Sequence, residues 1–346
     1  MCRAVVRHFV HVTTRLPPLP MRPFFVEKIW GGSRFATLPA KRRPGHRPPA
    51  GKGVGESWEV SDLPEGQSVV DDDAVCAAFA GQSLREMVHT FGEKLVGTAR
   101  PTDRFPILVK LIDAAEDLSV QVHPGQDYAR AHPGTFSKDE AWWIVDAAVG
   151  GRVLHGFVEG VSQKLFEDAV RMGLPHELMR SVDVKRGDVI HVAPGIVHAI
   201  GAGVVVLEVQ EPSDTTFRVW DFGRKENGKP RPLHLEQALA VARFSDKEPM
   251  PPARSTPRVH DDGSCTVVET RSFSMKAVVV NGAADVDVVV DEFAARVVHA
   301  EDGDVEFVWD AFTVVVPRGG SCVLPASCGG VTFPARDRPT RLIMMS

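Results

Sequence analysis

The sequence lacks any apolar run near the roughly 18 residues a membrane-spanning helix needs, so no such span is read. Cysteine is sparse. The five residues Cys2, Cys76, Cys265, Cys322 and Cys328 are odd in number and scattered, with no CxxC pair. That argues against a disulfide framework and for reduced thiols in a cytoplasmic protein. Neither sign of charge dominates. The net charge of −5 removes a general nucleic-acid role, though a locally basic pocket for an anionic small molecule is compatible with it. Residues 1–20 (MCRAVVRHFVHVTTRLPPLP) hold Arg3, Arg7 and Arg15 but no acid. They lack the serine of a transit peptide, and their apolar stretch is too broken for a secretory signal. The expectation is a disordered leader over 1–20, with Met21 as an alternative start.

What is present is the composition of an ordinary globular protein: 346 residues, 43% hydrophobic and 25% charged. That length allows two domains. Helical spacing occurs in three places: Ser83–Gly97, Ser162–Leu178 and Pro232–Phe244. Lys41–Gly55 is rich in proline and glycine and reads as a loop. Strand-like runs fill 105–123, 141–157 and 189–209, and short β-branched runs follow from Thr266 to Leu342 with a turn every 8–12 residues or so. Proline-rich Lys247–Arg258 separates the two β-rich parts. The expected units are therefore a domain over 21–245 and a C-terminal β domain over 246–346.

The segment Ser119–Pro124 (SVQVHP) places Gln121 and His123 at i and i+2, on one face of a strand. Glu140 in KDE and His198 in APGIVH lie in similar β-rich, turn-punctuated settings. Two imidazoles, a carboxylate and an amide oxygen suit one borderline divalent ion such as zinc. The absence of thiolate there points to a catalytic centre with an open position. Lys138 shares the strand face of Glu140. With Lys110 and Arg218 it makes up the cationic candidates, which suit an anionic small molecule. Glu208 is a further pocket carboxylate. His191, Asp113, His155 and His234 read as structural or surface groups. Trp30, Trp58, Trp142 and Trp143 are pocket-wall candidates whose more frequent use is core packing.

Gly187-Asp188-x6-Gly195-x2-His198 resembles the second motif of the cupin superfamily, except that the proline stands directly before the glycine rather than one residue earlier. Six stretches extend the likeness: Lys28–Phe35, Gly55–Asp62, Val109–Ala129, Lys138–Ala147, Gly187–Arg224 and Lys229–Leu239. Together, in this order, they resemble the type I mannose-6-phosphate isomerases, in particular their shorter bacterial branch. The resemblance implies an all-β dominated fold of cupin (jelly-roll) barrels in two lobes with a few added helices. It also implies one zinc per chain on Gln121, His123, Glu140 and His198, and an active-site role for Arg218.

The C-terminal lobe contains only His260 and His299. Its Pro325-Ala326-Ser327-Cys328 stands where a barrel motif would carry histidine, so a degenerate barrel without a second metal is expected. The reading is a zinc-dependent aldose–ketose isomerase acting on mannose 6-phosphate and fructose 6-phosphate through an enediol(ate). Its partner is a small sugar phosphate, with no nucleic acid and no membrane. Lys138, Lys110 and Glu208 stay open as the proton-transfer base, and Arg218 is assigned to the oxyanion or the phosphate. The alternatives are a sugar-phosphate-binding cupin without activity and another metal-dependent cupin enzyme, such as an iron oxygenase. The oligomeric state is not read from the sequence.

Overall fold

Two antiparallel sheets face each other across the first lobe of the computed structural model, which describes residues 15–50, 53–261, 263–281 and 284–346. After β1 (Leu19–Arg22), which joins a sheet of the other lobe, the strands that build them are β2 (Phe24–Gly32), β3 (Val54–Val60), β4 (Leu108–Asp113), β5 (Val120–Val122), β6 (Glu140–Ala147), β7 (Arg152–Phe157), β8 (Met179–Asp183), β9 (Val189–Val192), β10 (His198–Ile200), β11 (Val204–Gln210) and β12 (Phe217–Trp220). One sheet has the order β9-β6-β11-β4-β3-β2, and the other β8-β7-β10-β5-β12. This is the jelly-roll that the resemblance implies.

The central strands β6, β11 and β4 of the six-stranded sheet are covered on both faces, so they read as largely apolar runs rather than alternating ones. Ala141, Trp143, Val109, Leu111, Leu207 and Val209 point outward and join one hydrophobic cluster with Val297, Phe307, Val323 and Ile343 of the C-terminal lobe. The inward positions Ile112, Trp142, Ile144, Val204 and Val206 form a separate cluster with Trp30, Ile190 and Ile200 inside the barrel. Trp142 and Trp143 thus serve opposite faces of one strand.

The C-terminal lobe is an eight-stranded sheet against a four-stranded one. Strand β1 belongs to that eight-stranded sheet, where Leu19 pairs with Val323 and Met21 with Ser321. Leu16 and Leu19 are buried. The boundary expected at residue 20 therefore falls inside a strand, because hydrogen bonding to a distant segment orders a piece whose local composition suggested none. The remainder of the expected leader, residues 1–14, lies outside the described residues.

Other local expectations shift in smaller ways. The expected helix over 83–97 is α1 (Leu84–Phe91), opened by a capping box of Ser83 and Glu86, followed by a short turn of helix at Glu93–Val96. The expected helix over 162–178 is α2 (Gln163–Met172), ended by Gly173 in the left-handed conformation. The expected helix over 232–244 shortens to α3 (Leu235–Val241). Pro232 to His234 instead run as irregular chain beside the barrel. No helix among the described residues is long and apolar enough to cross a membrane.

Buried charge marks the junction between the lobes. Lys41 Nζ lies 2.6 Å from both carboxylate oxygens of Glu59, with both side chains sealed from solvent. Burial drives the Lys41 pKa down and Glu59 only partly restores it. Nearby His299 bonds Ser321 Oγ through Nδ1 at 2.9 Å, and burial, with Lys41 adding to it, brings its pKa down to about 3. Unfolding restores an ordinary value of about 6.5, so the unfolded chain takes up a proton that the folded chain refuses. The resulting stability is present above about 6.5 and is lost as pH falls from there towards 3. Urea titrations should show stability falling over this window, and His299→Gln should flatten the slope by up to about 1.4 kcal/mol per pH unit. An unchanged slope would remove His299 from the account.

Candidate active site and metal centre

Strand pairing brings the four sequence-predicted ligands together. His198 opens β10 directly opposite Gln121 on β5, and Glu140 opens β6 on the facing sheet. His123 follows β5 by one residue. The turn that delivers His198 has Pro194 and Gly195 at its centre, with Gly195 at φ +84° and the Ile196 amide bonding Ala193 O at 3.1 Å. Proline then glycine is the order a type II turn prefers. The departure from the usual motif order is therefore a turn choice that keeps the histidine in place.

Both histidines are oriented from behind. His123 Nδ1 sits 2.9 Å from Thr215 O, and His198 Nδ1 sits 2.8 Å from Ile196 O. A carbonyl can only accept, so each Nδ1 carries the hydrogen and each Nε2 presents a lone pair. Those Nε2 atoms lie 3.3 and 3.2 Å from the two oxygens of Glu140. All three side chains are sealed from solvent. His123 Nε2 and both Glu140 oxygens have no hydrogen-bond partner among the described residues, although Lys138 Nζ approaches Glu140 Oε2 to 2.7 Å as an ion pair. One donor atom from each residue falls within a 4.8 Å cluster. Buried polar atoms left unpaired are costly, and a cation among them removes that cost. Burial, reinforced by Lys138, lowers the His123 pKa to about 3; burial lowers that of His198 to about 4. Both rings therefore stay neutral, the state a metal requires. Gln121 reaches this cluster with its amide, whose nitrogen is placed 3.2 Å from His198 Nε2. A half-turn of the amide about its last side-chain bond brings the oxygen, an acceptor, to the same point.

In front of the cluster lies a cavity of about 190 Å³, lined by all four predicted catalytic residues, Lys110, Lys138, Glu208 and Arg218. Three of its lining groups form a row across the six-stranded sheet, where Trp142 pairs with Glu208 and Glu208 with Lys110. Glu208 Oε2 accepts from Trp142 Nε1 at 2.9 Å, while its buried Oε1 has no hydrogen-bond partner. Burial raises the Glu208 pKa, Lys138 pulls against it, Glu140 pushes it further, and the balance falls at about 7. For Lys138 burial disfavours the charge, but Glu140 and Glu208 outweigh it and hold the ammonium above the usual lysine range. Lys110 Nζ is 3.8 Å from Glu56, 3.9 Å from Glu208 and 3.9 Å from Asp214, and 4.7 Å above the Trp58 ring. No carboxylate among the described residues is within hydrogen-bond distance of it.

The sequence reading missed Lys28, Glu56, Arg231 and His234, which also line the cavity. Glu56 bonds Trp58 Nε1 at 2.7 Å and Lys28 at 3.1 Å. Burial opposes its charge, yet Lys110 and Lys28 bring its pKa to about 2. A signal for it existed, since Glu56 and Trp58 stand at i and i+2. The other three expected structural groups are structural: Asp113 holds Arg34, His155 bonds His191 O, and His191 meets Asp139. A wider depression of about 610 Å³ opens around Arg100, Arg104 and Phe136. It holds no such convergence, since Glu211 at its edge is already taken up by Gln126, Ser137, Asp139 and Ser272.

Comparison with known proteins places relatives beside this geometry. Residues 19–142 match the family described as phosphomannose isomerase type I, catalytic domain. Mannose-6-phosphate isomerase ManA of Bacillus subtilis strain 168 is 33% identical over 325 residues, covering 90% of this chain and 94% of that protein. Mannose-6-phosphate isomerase of Streptococcus mutans is 36% identical over 241 residues, covering 69% and 71%. The crystal structure of the Bacillus subtilis mannose 6-phosphate isomerase superposes with a TM-score of 0.82 at 28% identity, covering 95% of this chain and 99% of that one. A mannose 6-phosphate isomerase bound with zinc and yttrium shares the fold at a TM-score of 0.70 and 15% identity, covering 95% and 99%.

Loading the chelator-treated protein with Zn²⁺ should raise its unfolding free energy, by about 2.7 kcal/mol at a hundredfold excess over Kd. Glu140→Gln should abolish most of that gain. A thermal-shift titration reads both, and an equal gain in the variant would place the ion elsewhere.

Proposed function

The chain belongs to the type I phosphomannose isomerases, and from that membership we propose a zinc-dependent interconversion of mannose 6-phosphate and fructose 6-phosphate at the His123–Glu140–His198 centre. The observation that carries the reading is the convergence of two Nε2 lone pairs and a buried carboxylate behind a cavity that holds a carboxyl of pKa about 7. One zinc ion is held by His123, Glu140 and His198, with the Gln121 amide oxygen as fourth ligand. Nitrogen and oxygen donors without thiolate suit that ion. When bound, it supplies Lewis-acid polarisation and a template for the sugar oxygens.

The remaining steps belong to the chain's own side chains. The open-chain aldose must lose a proton from C2 and regain one at C1, with a compensating proton exchange between O1 and O2. Glu208 is the shuttle: its Oε1 is buried and unpartnered, and its pKa lies near working pH, where a general base is most effective. Trp142 fixes the other oxygen, so the free one stays aimed. Lys110, whose ammonium touches no acceptor closely, donates to the enediol(ate) oxygen as charge builds there. Lys138 is bound to Glu140 and positions that ligand rather than moving protons. Arg218 holds the phosphate. The free thiols Cys76, Cys265, Cys322 and Cys328 support a reducing, cytoplasmic setting.

A coupled assay for fructose 6-phosphate should lose activity on chelation and regain it with Zn²⁺. Failure of the zinc-loaded protein to turn over mannose 6-phosphate would sink the reading. Glu208→Gln should lower kcat by at least about a hundredfold while leaving Zn²⁺ uptake intact. In the parent enzyme, the carboxylate must be deprotonated to act, so kcat/KM rises with pH through the Glu208 pKa. That limb lies at or below about 7, since a bound cation offsets Glu140. Retention of the limb in Glu208→Gln would assign it to another group.

A further inference from the structure

Along one side of the cavity, β12 and the chain leading into α3 gather Arg218, Arg231 and His234. Their hydrogen bonding leaves donors over and no acceptor to receive them. Arg218 Nη1 donates to Pro232 O at 3.0 Å, but its buried Nε has no partner, and no carboxylate lies within ion-pair distance among the described residues. Arg231 is held in place by Asp221, at 3.3 Å from each carboxylate oxygen, and Asp221 also takes Arg224. Arg224 turns the other way, to Asp117 O at 2.7 Å and Glu116 at 3.6 Å. Two guanidinium groups thus line the cavity; Asp221 is shared between Arg231 and Arg224, and Glu226, half-exposed, stands 3.8 Å from Arg231 Nε. Burial and the neighbouring Arg231 both disfavour the Arg218 charge. An anion in the cavity reverses that.

His234 is fixed more tightly than its surface-like sequence context suggests. Its backbone N–H donates to Arg218 O at 2.7 Å, and the Arg218 N–H donates back to His234 Nδ1 at 3.2 Å. A backbone N–H can only donate, so Nδ1 carries no hydrogen. The hydrogen therefore sits on Nε2, on the opposite side of a ring that borders the cavity. The imidazole is locked as a neutral donor, and the same two bonds hold the Arg218 backbone.

We propose that Arg231 and His234 complete the subsite for the substrate's phosphate monoester with Arg218, His234 acting as a tautomer-locked Nε2–H donor. The inference rests on the sugar-phosphate reading above and extends it to two residues carried outside the barrel strands. A phosphate dianion offers three acceptor oxygens, and the subsite offers the Arg218 Nε, the Arg231 guanidinium and the His234 Nε2–H.

Inorganic phosphate titrated by calorimetry into chelator-treated protein isolates the subsite from any metal and from turnover. His234→Asn keeps an acceptor near Nδ1 and removes the distal donor, whereas His234→Gln supplies an amide N–H near Nε2 and loses the acceptor. His234→Asn and Arg231→Met should each weaken phosphate binding about tenfold, with His234→Gln close to wild type. On zinc-loaded enzyme the first two should raise KM for mannose 6-phosphate by a similar factor with little change in kcat. The reverse order, Asn tolerated and Gln damaging, would reduce His234 to a backbone brace and overturn the proposal. So would phosphate binding that all three substitutions leave unchanged, or its absence in the wild type. The expected phosphate pattern without turnover of mannose 6-phosphate would uphold the subsite while removing the isomerase reading.

Discussion

Burial of the six-stranded sheet's central strands on both faces is the constraint on which the rest of the molecule depends. Its outward side chains, among them Trp143, Leu111 and Leu207, are cemented to the C-terminal lobe. Each fully buried side chain of this size contributes about 1.5–3 kcal/mol. Its inward face carries Glu140, Glu208 and Lys110 at nearly zero exposure. Such groups are expensive to bury unless paired, and a sheet anchored on one side only would let them relax towards water. The second lobe acts at a distance in this sense. It holds the strands that hold the site, and β1, threaded from the N-terminus into the far sheet, ties the first residues of the fold to the last.

Within the cavity, charge is arranged in alternation. Glu56, Glu140 and Glu208 are interleaved with Lys28, Lys110 and Lys138, so each buried ion faces one of opposite sign. The environments nonetheless push the three carboxyls apart: Glu56 to about 2, Glu140 well below its ordinary value, and Glu208 up to about 7. Glu56 and Glu208 each accept an indole N–H, but Glu56 has Lys28 at 3.1 Å, whereas both lysines near Glu208 stand 3.9 Å away and Glu140 adds a like charge. One residue type thereby yields three carboxyls whose hold on a proton differs widely. Arg218, among the described residues, has no carboxylate within ion-pair distance, and an anionic substrate group would complete the balance beside it.

The route by which each residue became visible differs. Gln121 and His123 were legible because strand periodicity is local: i and i+2 share a face wherever the strand lies. Glu140, Lys138 and His198 were legible through motif context, and all of them converge. Arg231 and His234 were not, because nothing in KPRPLHL announces where an irregular segment will rest. The expected helix from Pro232 would have carried His234 on a helical face. The helix begins instead at Leu235, and His234 turns back to clasp Arg218. Likewise Leu19 and Met21 sit in a stretch that looked like a leader, and became core by pairing with a strand some three hundred residues away.

By itself the sequence determined the strand-rich class, the chemistry of the ligand set and the identity of the cations around it, because side-chain type and short-range periodicity are properties of neighbouring residues. Only the tertiary structure decided which face each strand turned to the barrel and which tautomer each histidine holds. It also decided which carboxyl is pushed up to about 7 and which loop residues line the cavity. Those outcomes depend on strand register, burial and carbonyl positions set by segments far apart in the chain, and no local pattern encodes them.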